Sequence, residues 1–231
     1  DFCLSRGLGD VYKRQLYSIT ILAQSPRTLL NQVQVKLNKA TNYSADINIV
    51  VDLPYITLMP INSKLYYKQK DKFKIDTKSI AILPKQGFLQ LNMLVNDTVN
   101  YTAIFQSKEI INKIKTSLVN LIPNNDTSDV VLAKLWVDEI NQVIIKSQVT
   151  TKSSGTIKTE YIYGSQVFYG LPDDIKFTVD VKKFKIPKAL SADINTSKTT
   201  TVEKKFGEIN IKLKNYQINK GIADNVFDKT N

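Results

Sequence analysis

The chain between Tyr43 and Leu53 has the sequence YSADINIVVDL, in which apolar and mostly polar positions alternate. Successive side chains of a strand point to opposite faces, so alternate positions share one face. The apolar face would carry Ala45, Ile47, Ile49, Val51 and Leu53. Pro54 cannot donate to a strand ladder and would end it. The pattern therefore predicts a half-buried strand.

An amphipathic helix is predicted before this strand, from Pro26 to Ala40. Ser25 is a favourable N-cap residue, and proline is common at the first helical position. The apolar stripe would consist of Leu29, Leu30, Val33, Leu37 and Ala40. A helix with one apolar stripe has one face to bury, which we expect to lie against a sheet.

Strand patterns dominate the rest of the chain. Leu65 and Tyr67, and then Phe73 and Ile75 after a turn, alternate with lysines and predict a hairpin. Further strands are predicted at Val99–Gln106, Lys113–Ile122, Val130–Val137, Gln142–Thr151 and Thr156–Tyr163, around Ile175, Phe177, Val179 and Val181, and around Ile209, Ile211 and Leu213. The tip Ser153-Ser154-Gly155 predicts a hairpin between two of them. Residues 80–94 are expected to form a partly helical cover, and residues 188–201 a long mobile loop.

The predicted fold class is mainly β with a few helices. Many antiparallel strands with one apolar face each indicate a strongly curved sheet, or half-barrel, covered by the N-terminal helix and short lid helices. Such a sheet has more inward positions than one helix can cover. Further short helices or a ligand would fill the remainder.

The N-terminal 15 residues contain the sequence SRGLGDVYKRQ, which resembles a translated sequencing adapter, and we interpret residues 1–15 as an artefact. Residues 16–24, LYSITILAQ, are interpreted as the remnant of a signal peptide that the adapter cuts short. A first β-strand is the alternative, because Tyr, Ile and Thr favour strands. Residues 25–231 would then form a single domain, exported to the periplasm.

The formal net charge is +11, which raises nucleic acid or an anionic membrane as a partner. After residue 15, every positively charged residue except Arg27 is a lysine, and the lysines alternate with apolar residues along the strands. This alternation is typical of a solvated sheet face. No basic cluster is interleaved with stacking aromatic residues, so we expect no nucleic-acid partner.

The order of segments resembles the LolA/LolB-like outer-membrane lipoprotein carriers. The segments that carry the resemblance are Leu29-Leu30 with Val33, Tyr43–Ile47, Leu65–Tyr67 followed by Lys72–Ile75, Ala133–Asp138, Val143–Lys152 with the turn at Gly155, and Tyr216–Phe227. The resemblance implies a half-barrel with a helical lid that encloses an apolar cavity. It also implies a periplasmic, non-catalytic carrier that shuttles acyl chains of lipoproteins or lipids towards the outer membrane.

An acyl-chain carrier needs apolar walls, and no cofactor or metal is expected. The predicted walls comprise Ile47, Ile49, Val51, Leu65, Tyr67, Phe73, Ile75, Trp136, Val143, Ile145, Ile157, Tyr161, Ile175 and Phe177, and the predicted lid helix carries Leu29, Leu30, Val33 and Leu37. The same residues would equally suit an ordinary solid core. Trp136 could stack on a ligand or belong to that core.

One feature departs from the family. Better-known carriers resemble one another in an arginine on the sheet that latches the lid, whereas here Arg27 stands on the predicted helix. The latch therefore does not carry over, and a general lipid or glycolipid carrier stays open. The resemblance still implies inner- and outer-membrane lipoprotein-sorting proteins as partners, and we expect a monomer.

Two other classes of function compete with a carrier. The chain has no histidine and, outside the adapter, no cysteine, which excludes histidine triads and thiol chemistry. The adjacent carboxylates Asp138-Glu139 and Asp173-Asp174 would remain for catalysis, but neighbours on a strand point to opposite faces. A non-enzymatic cell-envelope module with a filled core and an open sheet edge is the other alternative.

Overall fold

The computed structural model describes residues 25–53, 56–57, 59–69, 72–76, 95, 97, 99–153, 155–180 and 206–228. Strands make up most of these residues. They are β1 Asn42–Leu53, β2 Ile56–Thr57, β3 Ile61–Lys68, β4 Lys72–Ile75, β5 Tyr101–Ile111, β6 Ile114–Pro123, β7 Val130–Asp138, β8 Val143–Thr151, β9 Gly155–Ile162, β10 Asp174–Asp180 and β11 Phe206–Ile218. Helix α1 spans Pro26–Leu37, and two 3₁₀ turns span Val167–Tyr169 and Asp224–Phe227.

All strands of the described residues belong to one antiparallel sheet that is not closed into a barrel. Its order is β4-β3-β1-β11-β10-β9-β8-β7-β6-β5, and the short β2 pairs with β1 beside this path. Strands β5 to β11 form a meander, and β1 then pairs with β11 on one side and β3 on the other. The predicted mainly β, open antiparallel architecture is confirmed.

Helix α1 begins as its sequence predicts. The Ser25 hydroxyl accepts a hydrogen bond from the Thr28 amide at 3.1 Å, and Pro26 stands at the first helical position. The helix ends at Leu37 rather than at the predicted Ala40. The amides of Lys39 and Ala40 instead donate to the carbonyls of Lys36 and Leu37 in a tight last turn, which leads the chain into β1.

The core lies between α1 and one face of the sheet. Leu29, Leu30 and Val33 of the helix are buried, and the alternating face of β1 packs with them. Among the largest fully buried side chains are Phe177 of β10 and Ile209 and Ile211 of β11. The apolar alternation of β1, β10 and β11 thus places a common face against one helix.

The two predicted hairpins are confirmed. Leu65 pairs with Ile75 and Tyr67 with Phe73 across β3 and β4. Thr151 pairs with Gly155 at the tip between β8 and β9, where Gly155 has a φ of 73°. Such a left-handed conformation favours glycine.

The opposite face of the sheet carries the alternating lysines. Lys64 of β3 and Lys214 of β11 flank Asp46 of β1, and Lys176 forms an ion pair of 2.9 Å with Glu208. Positive and negative side chains therefore alternate across strands. This arrangement agrees with the predicted solvated face.

Three predictions fall outside the described residues: the adapter and signal remnant at residues 1–24, the cover at residues 80–94 and the loop at residues 188–201. Several strands extend beyond their predicted ends. Strand β5 continues from Gln106 to Ile111, and β11 runs from Phe206 to Ile218. Across the described part of the chain, no helix combines the length and the apolar character needed to span a membrane.

Candidate functional site

A small cavity lies between the C-terminal half of α1 and the sheet. Its volume is about 60 Å³. The lining residues come from α1, β1, β3 and strands β8 to β11 with their connecting turns: Val33, Leu37, Asn38, Tyr43, Tyr67, Gln142, Val143, Ile144, Tyr161, Tyr163, Gly170, Leu171, Pro172, Ile175 and Tyr216. Asn38 is exposed, so the cavity reaches the surface beside the end of the helix.

Five tyrosines give this cavity an aromatic wall. The ring of Tyr43 stacks on Tyr67 with centroids 5.0 Å apart and lies 5.8 Å from the ring of Tyr216. The hydroxyl of Tyr163 donates to the Ile144 carbonyl at 2.8 Å, and that of Tyr216 donates to the Pro172 carbonyl at 2.6 Å. These bonds satisfy the polar ends of two rings while their faces remain available for apolar contact.

Tyrosine phenols are neutral at pH 7, and burial moves the pKa of four of these five further above it. Desolvation raises the pKa of Tyr161 to about 12, even though hydrogen bonds with Ser147 and Thr159 oppose the shift. Desolvation likewise raises the pKa of Tyr43, Tyr163 and Tyr216 above the ordinary value. The cavity wall is therefore uncharged at neutral pH and suits an apolar ligand.

Helix α1 is attached to the sheet by cations at both ends. Near its start, the Arg27 Nη2 donates to the Tyr101 carbonyl of β5 at 3.1 Å. Near its end, the Lys36 Nζ donates to the Asn141 carbonyl in the turn between β7 and β8. Lys39 places its Nζ 4.0 Å from the ring centre of Phe168. The arginine that joins helix and sheet therefore stands on the helix, and its partner is a backbone carbonyl of the sheet.

Gly170 holds the turn after β9 close to the helix. Its φ is 67°, and a β-carbon at this position would lie 3.1 Å from Leu37 Cδ2 and 3.6 Å from Lys36 Cγ. A side chain would be strained by the backbone and crowded by the helix. Because Gly170 has no side chain, α1 can lie close to this turn and cover the cavity mouth.

The structure brings most of the predicted wall residues together. Tyr67, Val143, Tyr161 and Ile175, with Val33 and Leu37 of the helix, line the cavity. The others pack in the surrounding core: Leu29, Leu30, Ile47, Ile49, Val51, Leu65, Phe73, Ile75, Ile157 and Phe177.

Trp136 and Ile145 differ from the predicted inner wall. They form a second cluster with Leu118 and Val143, to which Ile111, Tyr163 and Val167 add partly buried contacts. On β7, Leu135 and Val137 belong to the main core, so Trp136 between them points to the opposite face. Three consecutive apolar residues left the phase of this strand ambiguous in the sequence.

A bulge explains the position of Ile145. The pairing between β7 and β8 shifts by one residue at this point. Trp136 lies opposite Lys146, but the next residue, Val137, lies opposite Ile144. Ile145 is the extra residue, and Ile144 rather than its neighbours packs in the main core. Val143 consequently belongs to the second cluster, although it also borders the cavity.

Sequence reasoning missed Tyr43, Ile144, Tyr163 and Tyr216. Tyr43 has the same phase as Ala45 and Ile47, and Tyr163 the same phase as Tyr161, so alternation could have identified both. Tyr216 follows a register shift at which Asn215 adopts a φ of 53°. That shift reverses the phase of β11, and no sequence signal marks it.

The paired carboxylates have structural partners. Asp138 is buried, and its Oδ1 accepts from the amides of Ile140 and Asn141 at 2.9 and 3.1 Å. Glu139 accepts a hydrogen bond from Ser117 and forms an ion pair with Lys108 at 3.3 Å. Asp138 therefore stabilises the turn between β7 and β8, and Glu139 joins this turn to β5 and β6. Within the described ranges, no group of three or more His, Cys, Asp or Glu side chains could hold a metal ion.

Solved structures share this architecture. A DUF1329 family protein from Desulfovibrio piger superposes with a TM-score of 0.55 at 10% identity, covering 88% of this chain and 97% of that one. A putative outer-membrane lipoprotein-sorting protein domain from Vibrio parahaemolyticus gives 0.53 at 8% identity, over 88% and 96%. A LolA superfamily protein from Nitrosomonas europaea gives 0.51 at 12% identity, over 88% and 97%.

The chain has a LolA-like fold. No protein-family model and no curated protein matches the sequence. The likeness is therefore one of fold, and it extends over nearly the whole length of the compared structures. Within the LolA-like fold of this chain, the cavity lies beneath the single described helix, where α1 faces the sheet.

Proposed function

We propose that this protein is a non-catalytic carrier that binds acyl chains of lipoproteins or lipids between α1 and the sheet. The observation that carries the proposal is the uncharged, tyrosine-walled cavity beneath α1 in a LolA-like fold. Transport across an aqueous compartment requires only apolar burial and reversible release. The proposal accordingly includes no cofactor.

The size of the cavity requires α1 to move. At about 60 Å³ it is less than half the volume of the roughly 150 Å³ protein cavity that admits benzene. An acyl chain would therefore displace Leu29, Leu30 and Val33 from the core. Each acyl methylene buried in their place contributes about 0.8 kcal/mol, which offsets the exposure of the helix stripe.

The attachments of the helix suit reversible opening. The Arg27 and Lys36 side chains bind backbone carbonyls at the two ends of α1, and both cations can be hydrated when the helix moves. The apolar stripe between them supplies the closing force. Loading then exchanges one apolar occupant of the core for another.

The proposal also includes a cellular setting. The signal-peptide interpretation of residues 16–24 would place the protein in the periplasm, between two membranes that exchange lipoproteins. The Vibrio parahaemolyticus structure is named for outer-membrane lipoprotein sorting. By this likeness we propose acylated proteins as cargo, lipoprotein-sorting proteins as partners and a monomer as the working unit.

Uptake of cis-parinaric acid, a fluorescent fatty acid, tests the proposal. We expect saturable uptake by the natural chain and roughly tenfold weaker uptake by Leu37→Lys, because the lysine places a charge at the half-buried cavity wall. Val35→Lys is the matched control: it lies two residues away on α1 and is 64% exposed. Absence of uptake by the natural chain, or equal weakening in both variants with native circular dichroism, would contradict the proposal.

A second candidate is an interaction module with a filled core. The small volume of the cavity favours this candidate. So does the position of β5, which among the described strands pairs only with β6 and therefore forms an edge of the sheet. Ile104 and Phe105 on this edge are 45% and 44% exposed. A protein partner could add a strand there. This candidate predicts no fatty-acid uptake in the same measurement.

A further inference from the structure

The mouth of the cavity opens at one end of the sheet, where three segments meet. These are the end of α1, the turn between β7 and β8, and the 3₁₀ turn after β9. Lys36 joins the first to the second through Asn141, and Lys39 joins the first to the third through Phe168. The same turns supply Gln142 and Gly170 to the cavity lining.

Two large apolar side chains project from these turns. Ile140, at the tip of the β7–β8 turn, is 83% exposed, and Phe168 is 58% exposed. Exposed apolar residues at adjacent turn tips are unfavourable in water and suit insertion into the interfacial region of a bilayer. We call Ile140, Phe168, Lys36 and Lys39 the mouth rim.

The charges around the mouth rim favour an anionic partner. Lys113 and Lys115 are exposed in the neighbouring β5–β6 hairpin, whose turn lies at the same end of the sheet. Two acids at this end are already engaged, since Asp138 binds amides of its own turn and Glu139 pairs with Lys108. The remaining pair, Asp173 and Asp174 where β10 begins, is outnumbered by Lys36, Lys39, Lys113 and Lys115. Lysines beside an anionic lipid surface each add attraction within a Debye length.

We propose that the mouth rim docks on an anionic lipid bilayer, with Ile140 and Phe168 entering the interface and the exposed Lys39, together with Lys113 and Lys115 of the neighbouring hairpin, contacting lipid headgroups. The inference rests on the proposed function, because docking there would place the cavity mouth directly against the source or destination of an acyl chain. The charge complementarity and the exposed apolar tips coincide at the one place where cargo would enter.

Flotation with vesicles tests this surface. The vesicles contain phosphatidylethanolamine with phosphatidylglycerol, and phosphatidylcholine vesicles serve as the neutral comparison. We expect the natural chain to bind the anionic vesicles and the variant Ile140→Ser to bind roughly tenfold less. Val99→Ser is the matched control, because Val99 is 81% exposed but lies at the opposite end of the sheet, beside the start of β5.

The same proteins are assayed for cis-parinaric acid uptake from vesicle-free solution, which separates this inference from the proposed function. Uptake retained by Ile140→Ser together with lost vesicle binding supports docking through the mouth rim. Uptake retained while Ile140→Ser and Val99→Ser bind vesicles equally overturns it, and so does a natural chain that does not bind anionic vesicles. Absence of uptake by the natural chain contradicts the carrier itself, whatever the vesicles show.

Discussion

Trp136 illustrates how a single residue can report on the sheet. It is the only tryptophan of the chain, and its Nε1 donates to Glu109 Oε2 at 2.7 Å while Lys146 lies 5.1 Å from its ring centre. The hydrogen bonds from Trp136 and Ser107 hold the pKa of Glu109 below its ordinary value. Trp136 is thus fixed on the face opposite the cavity, and its environment depends on an ionised carboxylate.

This contact predicts a pH-dependent fluorescence change. Because the fold lowers the pKa of Glu109 below its ordinary value of 4.5, the carboxylate stays ionised and keeps the contact until the pH falls through that lower folded-state pKa. We expect Trp136 emission to be constant above pH 4.5 and to change only at lower pH. Glu109→Gln should abolish the step.

Ser107→Ala is the informative control for this titration. The Ser107 hydroxyl donates to Glu109 Oε1 at 3.0 Å, so its removal should raise the midpoint while leaving the step in place. A step that persists in Glu109→Gln would show that another group controls the fluorescence.

Single residues also mark the limit of what the sequence could predict. Alternation assigned Ile47, Ile49 and Phe177 to the inward faces of their strands, and in the structure each lies in a regular strand and packs in the main core rather than on the cavity wall. The same rule misplaced Ile145, where a bulge inserts one residue into β8 and reverses the phase. Bulges depend on how neighbouring strands pair, and this pairing is not encoded in the local apolar pattern.

At the scale of elements, the cap of α1, its apolar stripe and the two hairpins followed from local rules. The pairing of β1 with β11 did not follow from local rules, because it joins segments far apart in the chain. The position of the cavity depends on the pairing of β1 with β11, because only this pairing brings Tyr43 and Tyr216 together. Long-range pairing therefore determines the site more than any local motif does.

The fit of the 3₁₀ turn against α1 can be measured with two glycines. Gly170→Ala should lower the free energy of unfolding by about 2 kcal/mol, because the alanine has an unfavourable left-handed backbone and also crowds Leu37. Gly221→Ala should lower it by only about 1 kcal/mol, since Gly221 has a φ of 82° but no atom within 4 Å of the added β-carbon.

Urea denaturation would compare the two variants, with the slope checked for constancy. Equal losses of unfolding free energy in the two variants would mean that the added methyl group at position 170 does not crowd Leu37. In that case Gly170 would serve the turn alone, and the closure of α1 over the cavity mouth would need another explanation.

For the whole molecule, the proposed carrier function depends on one motion: α1 must leave the sheet to admit an acyl chain. The open sheet edge, the helix with one apolar stripe and the uncharged cavity are all present when the helix is closed. A closed core of this kind is stable in water, and an acyl chain is the kind of occupant that could replace the helix stripe without exposing apolar surface.

A reversible disulfide between α1 and the 3₁₀ turn tests this motion most directly. A β-carbon at position 170 would lie 3.6 Å from Leu37 Cγ, so Leu37→Cys/Gly170→Cys in a Cys3→Ser background brings two thiols within bonding reach. The measurement is cis-parinaric acid uptake by the same double-cysteine protein, first oxidised and then reduced. If loading requires α1 to leave the sheet, the oxidised protein takes up little or no fatty acid and recovers uptake on reduction, whereas equal uptake in both states would contradict this requirement.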